Sequence, residues 1–258
     1  MTLGSIMFGV KAILLDIEGT VTPISFVQDV LFPYARAHVR SYLVQHFNSD
    51  DVRADLDKLR AEYILDLKEG RQPPSLPPIE DQSSLNSTVA YIEWLMDQDR
   101  KSPGLKSLQG RIWEQGYDDG SLKAPIYPDV VPAMEHWHRE GIDVSIFSSG
   151  SVLAQRLLFR HTEGGDLTRY IKNYFDTSTG SKMDLDSYRQ IASKISQNPN
   201  AVLFISDVAT ELEAASAAGM KTLLCVRPGN APQSSVNRVQ SIESFQEIEV
   251  ETGSRHAS

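Results

Sequence analysis

Residues Ala12–Thr20 read AILLDIEGT, a run of strand-forming apolar side chains that stops on two carboxylates, Asp16 and Glu18, then a glycine and a hydroxyl. A carboxylate carried to the end of a buried strand costs free energy unless it is paired, hydrogen-bonded or bound to a cation. Such a strand either runs out into solvent or ends in a site. Three more short apolar runs follow, at 144–147, 202–205 and 222–226, and the first two of them continue into polar stretches, IFSSGSV and LFISDVATE. Helical patterns lie near 151–160, 185–195 and 210–219. Strands alternating with helices predict an α/β fold whose parallel sheet is covered on both faces. Ligands of such sheets bind beyond the carboxyl ends of the strands. Three polar strand ends gathered there point to an active centre.

The stretch between the first two strands has another character. It opens with an amphipathic pattern, SFVQDVLFPYARAHVRSYLVQHF, in which Pro33 should kink or restart the helix. A second helical run, DVRADLDKLRAEYILDLKEG, a proline-rich connector, RQPPSLPPIEDQSS, and helical stretches at 87–100 and near 105–115 complete it. The organisation expected is a core of residues 10–22 and 126–258 with a helical insertion at 23–125. The tail beyond Pro228 is polar and expected to be irregular, with SIESFQEI alone offering packing residues.

Composition narrows the function classes. Among 258 residues, acidic side chains outnumber basic ones and the formal charge is −9. That sign disfavours nucleic acid and anionic membranes as partners. Any phosphate must then be held by a few local cations or a metal. A lone cysteine, Cys225 in TLLCVRP, excludes an intramolecular disulfide and a thiolate zinc site, and reads as a small buried apolar residue. Neither a leader nor a run of about 18 apolar residues is seen. The expectation is an intracellular soluble protein, cytoplasmic with the nucleus admitted as well, monomeric, and acting on a small phosphorylated molecule.

An aspartate at a parallel strand end can attack phosphorus and form an aspartyl-phosphate, and at neutral pH it is ionised without help. Bringing it to a phosphate needs a cation, and Mg²⁺ suits a site with few protein oxygens. Asp207 in SDVATE is the candidate second ligand, with a helix cap as its alternative reading. Glu211, one turn later, can orient it or a metal-bound water. Glu18 can protonate a leaving oxygen and then activate water. Gly19 permits a tight turn, and Thr20 can fix the nucleophile or the phosphate. Ser148, Ser149 and Gly150 before a helix can form a phosphate cradle, with a simple serine cap, Ser151, as the alternative reading. Lys182 in GSKMD can hold phosphate and offset Asp16, against a plain reading as a surface lysine. The serine-hydrolase elbow, the dinucleotide fingerprint and the P-loop are absent.

Taken in order, Asp16-x-Glu18-Gly-Thr20, Ser148-Ser149-Gly150, Lys182 and Asp207-x-x-x-Glu211 resemble the haloacid dehalogenase-like hydrolases, which usually carry D-x-D first. The D-x-E variant, with DIEGTVTPISFVQDVLFPYA, SSGSVLAQRLLF, FDT and VRPGNA, is similar to the enolase-phosphatases of methionine salvage over about residues 12–231. The resemblance implies a Rossmannoid core with a parallel sheet and an inserted α-helical cap that closes over substrate. It implies enolisation of 2,3-diketo-5-methylthiopentyl-1-phosphate followed by release of phosphate, leaving acireductone. It implies one Mg²⁺ held by Asp16, Glu18 (through its backbone carbonyl in the wider superfamily) and Asp207, with Ser148, Ser149 and Lys182 on the substrate. Asp16 and Glu18 would be catalytic, Glu18 serving also as enolisation base. Thr20, Gly150 and Glu211 would stand behind them, and Phe26 and Phe32 are candidates for an apolar wall. The runner-up is a Mg²⁺-dependent phosphatase of the same superfamily acting on another small ester. A metal-independent dehalogenase is disfavoured by Asp207 and Glu18. A non-catalytic phosphate-sensing module is disfavoured because every ionisable group the chemistry needs is present.

Overall fold

The computed structural model describes residues 6–79, 82–100, 102–232 and 240–251. In chain order the strands are β1 (Ile6–Phe8), β2 (Ala12–Leu15), β3 (Asp143–Phe147), β4 (Ile171–Phe175), β5 (Val202–Ser206), β6 (Lys221–Cys225), β7 (Ser241–Ile242) and β8 (Ile248–Val250). The α-helices are α1 (Phe32–His46), α2 (Asp50–Lys68), α3 (Leu85–Asp97), α4 (Pro103–Asp118), α5 (Val130–Arg139), α6 (Val152–Arg160), α7 (Leu185–Lys194) and α8 (Ala209–Ala217). Two compact units result, Met1–Val27 with Lys123–Ser258, and Gln28–Leu122.

The first unit is built on a six-stranded sheet of order β4-β3-β2-β5-β6-β7, parallel throughout. Its central strand β2 has no polar side chain because both faces are covered, and all four of its residues are fully buried. One face packs Ala12 and Leu14 with Phe147, Phe204, Tyr188, Ile191 and Leu212, beneath α7 and α8. The chain runs outward from β2 through β3 and β4, then returns to β5 on the other side of β2. That reversal is a topological switch point, where a crevice opens at the carboxyl ends of the strands. Leu15 pairs with Ile146 on one side and Ile205 on the other, so the residues after these strands share one level.

The tail departs from its expected irregularity. β7 joins the sheet edge, and β8 pairs in parallel with β1 in a separate two-stranded sheet. Ile242, Phe245 and Ile248 are buried there, so SIESFQEI does supply the packing.

The second unit is helical. A π-helical turn at Phe26–Leu31 leads into α1, and Pro33 sits in the first turn, where its missing N–H costs nothing. Leu43, Leu59, Ile92, Leu95 and Ile112 are buried within it. The buried Asp66 carboxylate accepts from Tyr91 Oη (2.7 Å), Arg71 (2.5 Å) and Arg100 (3.0 Å). Burial would raise its pKa, but these donors outweigh it and hold it low.

Candidate active site

β2 delivers Asp16 to the switch point, where its N–H donates to Ile205 O (3.0 Å) and its side chain is 6% exposed. Across the crevice mouth β5 ends in Ser206, and Asp207 follows it. Lys182 comes from the loop before α7. Its carbonyl accepts from Tyr188 Oη (2.7 Å), and the Tyr188 ring is locked between Phe147 and Phe204. This places Lys182 Nζ 2.5 Å from Asp16 and 2.6 Å from Glu211, with the side chain 8% exposed. The lysine is therefore a buried bridging cation. Burial alone would lower its pKa, yet Asp16 and Glu211 overcome this and raise it.

Glu211 lies in the first turn of α8, where Ser206 Oγ donates to it (3.0 Å) while accepting the Val208 N–H (3.1 Å). The hydroxyl that serves the start of α8 is thus Ser206, and Asp207 does not cap the helix. Asp207 instead turns toward the loop after β2, where a methyl group on Gly19 would collide with its carboxylate. Burial, then Asp16 and Glu211, push Asp207 up to about 7, and burial and Asp16 raise Glu211 as well. Three carboxylates share one ammonium.

That imbalance tests the fit of a metal. Among the described residues no three His, Cys, Asp or Glu side chains converge as a ready ligand set. A cation here would be held mainly by the Asp16 and Asp207 carboxylates, with water and substrate oxygens completing its shell. This is an all-oxygen donor pair with excess negative charge, which fits a hard divalent ion.

The intervening loop is folded on itself. The N–H groups of Thr20, Val21 and Thr22 converge on Ile17 O, and Gly19 donates to Thr22 O (2.8 Å). Glu18 is half-buried and bridges Thr22. Thr20 is fully buried, and its Oγ1 meets no hydrogen-bond partner among the described residues. Gly19 holds φ +71°, and its Cα faces Asp207 and Asn230. Gly19→Ala should therefore cost about 1–3 kcal/mol of backbone strain. It should also displace Asp207 and lower kcat about 10- to 100-fold. A Gly19→Ala enzyme with wild-type kcat would show that this contact is dispensable.

After β3, Ser148 is buried, its N–H donates to Phe175 O (3.1 Å), and its Oγ accepts the Gly150 N–H (3.2 Å). Ser149 is exposed, and Ser151 caps α6 by accepting from Ala154 N–H (3.3 Å). Gln155 ties this turn down, its Nε2 donating to Gly150 O (2.8 Å) and Phe175 O (2.9 Å). Phe26 is buried, whereas Phe32 is exposed and tilts against Trp113. Cys225 is buried in β6, and burial pushes its thiol up to about 12, out of the nucleophile range.

Ser206, Tyr188, Gln155, Arg227 and Asn230 were not legible as site residues. For the last two a signal existed in VRPGNA, since Asn230 and Arg227 donate to the Gly19 and Thr20 carbonyls.

Residues 10–219 match the model of the haloacid dehalogenase-like hydrolases. The enolase-phosphatase E1 of Synechococcus elongatus is 47% identical over 239 residues, which cover 93% of this chain and 98% of that protein. A probable bifunctional methylthioribulose-1-phosphate dehydratase/enolase-phosphatase E1 of Oryza sativa subsp. indica is 44% identical, over 92% of this chain and 46% of the longer protein. Among solved structures, the UTR4 protein of Saccharomyces cerevisiae superposes with a TM-score of 0.73 at 37% identity, over 92% of this chain and 99% of that one.

Proposed function

Because this chain belongs to the enolase-phosphatase E1 family of the haloacid dehalogenase-like hydrolases, we propose that it converts 2,3-diketo-5-methylthiopentyl-1-phosphate to acireductone and phosphate. The observation that supports this most is the meeting of Asp16, Lys182, Glu211 and Asp207 at the switch point of the parallel sheet. A nucleophile, a fixed cation and a place for a second cation are what a phosphate ester requires.

In the first step Glu18 takes a proton from the carbon between the diketone and the phosphate ester; the C–H electron pair forms the carbon–carbon double bond and the adjacent carbonyl oxygen takes the charge as an enolate. In the second, Asp16 attacks phosphorus and the bond to the substrate oxygen breaks as Glu18 returns a proton to that oxygen. Glu18 then takes a proton from the water that cleaves the aspartyl-phosphate and frees Asp16. Lys182 holds Asp16 against the incoming anion, and Ser148 and Ser149 bind phosphate oxygens. Mg²⁺, held by Asp16, Asp207 and the Glu18 backbone, would neutralise charge between nucleophile and phosphate. The inserted helical segment serves as the cap of this reading.

Anaerobic turnover of the diketo phosphate, followed by enediol absorbance and free phosphate together, tests it. Both signals should rise, with the enol leading. Phosphate from many esters and no enediol would favour the broader phosphatase reading.

EDTA should stop turnover and Mg²⁺ restore it. With Asp207 pushed up to about 7, a proton and the cation compete for one carboxylate below that pH. The Mg²⁺ concentration giving half activity should rise as pH falls from 7, by up to about tenfold per unit. A constant requirement between pH 5.5 and 7.5 would take Asp207 out of the metal site.

A further inference from the structure

We propose that Asn230, assisted by Arg227, is a positioning residue for the loop that carries Glu18, acting through the backbone carbonyls of Gly19 and Thr20. Within that loop the N–H groups of Gly19, Thr20, Val21 and Thr22 are satisfied internally. The Gly19 and Thr20 carbonyls are held from outside. Asn230 Nδ2 donates to Gly19 O (2.9 Å) and, more weakly, to Cys225 O (3.4 Å). Arg227 Nε donates to Thr20 O (3.3 Å).

Arg227 is itself rigidly mounted. Its guanidinium pairs with Asp129 (2.9 and 3.0 Å), donates to Glu243 O (2.8 Å) and lies over the Tyr127 and Phe245 rings. Asp129 in turn accepts the Phe245 N–H (2.5 Å) and the Ser244 hydroxyl (3.1 Å). The catalytic loop is thereby anchored to α5 and to the tail.

Asn230 Oδ1 is buried without a hydrogen-bond partner among the described residues and lies beside Gly19 on the side that Asp207 occupies. The carboxamide therefore offers nitrogen to the loop and a neutral oxygen to the carboxylate. An aspartate there would set oxygen against the Gly19 carbonyl and a charge against Asp207. The clamp fixes the Gly19–Thr20 peptide, one residue beyond Glu18, and displacing a reacting group by about 1 Å can cost about 10²-fold in rate.

This inference rests on the reading of Asp16 and Glu18 given above, and its test separates the two. Full-length Asn230→Ala, Asn230→Asp and Ile248→Ala proteins are compared with wild type for kcat, KM and melting temperature, using the diketo phosphate and p-nitrophenyl phosphate with Mg²⁺. Ile248 is buried in β8 and makes none of the clamp's hydrogen bonds, so it reports general destabilisation. Asn230→Ala should lower kcat at least tenfold with KM within twofold, and Asn230→Asp should lower it further. Ile248→Ala should lose more melting temperature yet keep kcat within twofold. An Asn230→Ala kcat within twofold of wild type overturns the clamp, as does an equal kcat loss in Ile248→Ala. If Asn230→Ala fails to fold, Asn230→Ser is read by the same criteria. If wild type ignores the diketone, the substrate assignment falls while the clamp is still judged on p-nitrophenyl phosphate by the same tenfold drop.

Discussion

Asp16→Asn is expected to cut phosphate release by at least ~10⁴-fold, as removal of a nucleophile does in other hydrolases, while the protein still folds. The amide is nearly the size of the carboxylate and keeps an oxygen for Lys182, which retains its 2.6 Å contact with Glu211. The Asp16 N–H bond to Ile205 O is untouched. What disappears is the negative charge that makes the side chain a nucleophile. The same charge helps to raise Asp207 and Glu211, so its loss relieves repulsion. Melting temperature should hold or rise, by about 2–4 °C for each kcal/mol relieved in a chain of this size. A stability gain with loss of function is the mark of a site kept under electrostatic strain. Phosphate assay and thermal melt on one preparation decide the matter. An Asp16→Asn enzyme retaining a hundredth of wild-type turnover would end the nucleophile assignment.

What could be read ahead of the structure divides along range. β2 was legible to its last residue because a strand buried on both faces needs an unbroken apolar run, and AILL can be little else. β4 was not, because Lys172 and Asn173 interrupt IKNYF, and it holds the edge position where such residues are tolerated. β1 and β8 have three residues each, and each is a strand only because the other is there. Of the candidate residues, Asp16, Glu18 and Asp207 declared themselves by polarity at strand ends, and the structure brings Asp16 and Asp207 together with Lys182 and Glu211. Lys182 in GSKMD reads as a charge that can offset Asp16, but a lone lysine in a loop is ordinarily solvated, and the 166 positions between the two hide that it is buried against that carboxylate. VRPGNA marks Arg227 and Asn230, but what they hold are backbone carbonyls of a distant loop, which no side-chain pattern encodes.

The second large effect follows from that buried lysine. Lys182→Met should lower kcat/KM by about 10³-fold, the equivalent of roughly 4 kcal/mol of lost stabilisation. Nothing else among the described ion pairs reaches Asp16 or Glu211. Removing one member of a buried pair leaves the others uncompensated, at a cost of about 3–5 kcal/mol. Here the remainder is Asp16, Asp207 and Glu211, and the last two are already raised from their ordinary values with the lysine present. A carboxyl raised on folding binds its proton more tightly in the native state than in the unfolded one. Between about pH 4 and 7 the native state then holds more protons, and stability falls as pH rises. In metal-free wild type the fall is moderated by Lys182; in Lys182→Met it should steepen, leaving a protein that melts well at pH 5 and poorly at pH 8. Lys182→Arg should not restore activity, because a planar guanidinium cannot take the place of a compact ammonium lodged between two carboxylates. A Lys182→Met protein with near-normal kcat/KM, or a melting temperature independent of pH, would mean that this ion pair is architecture and not part of the reaction.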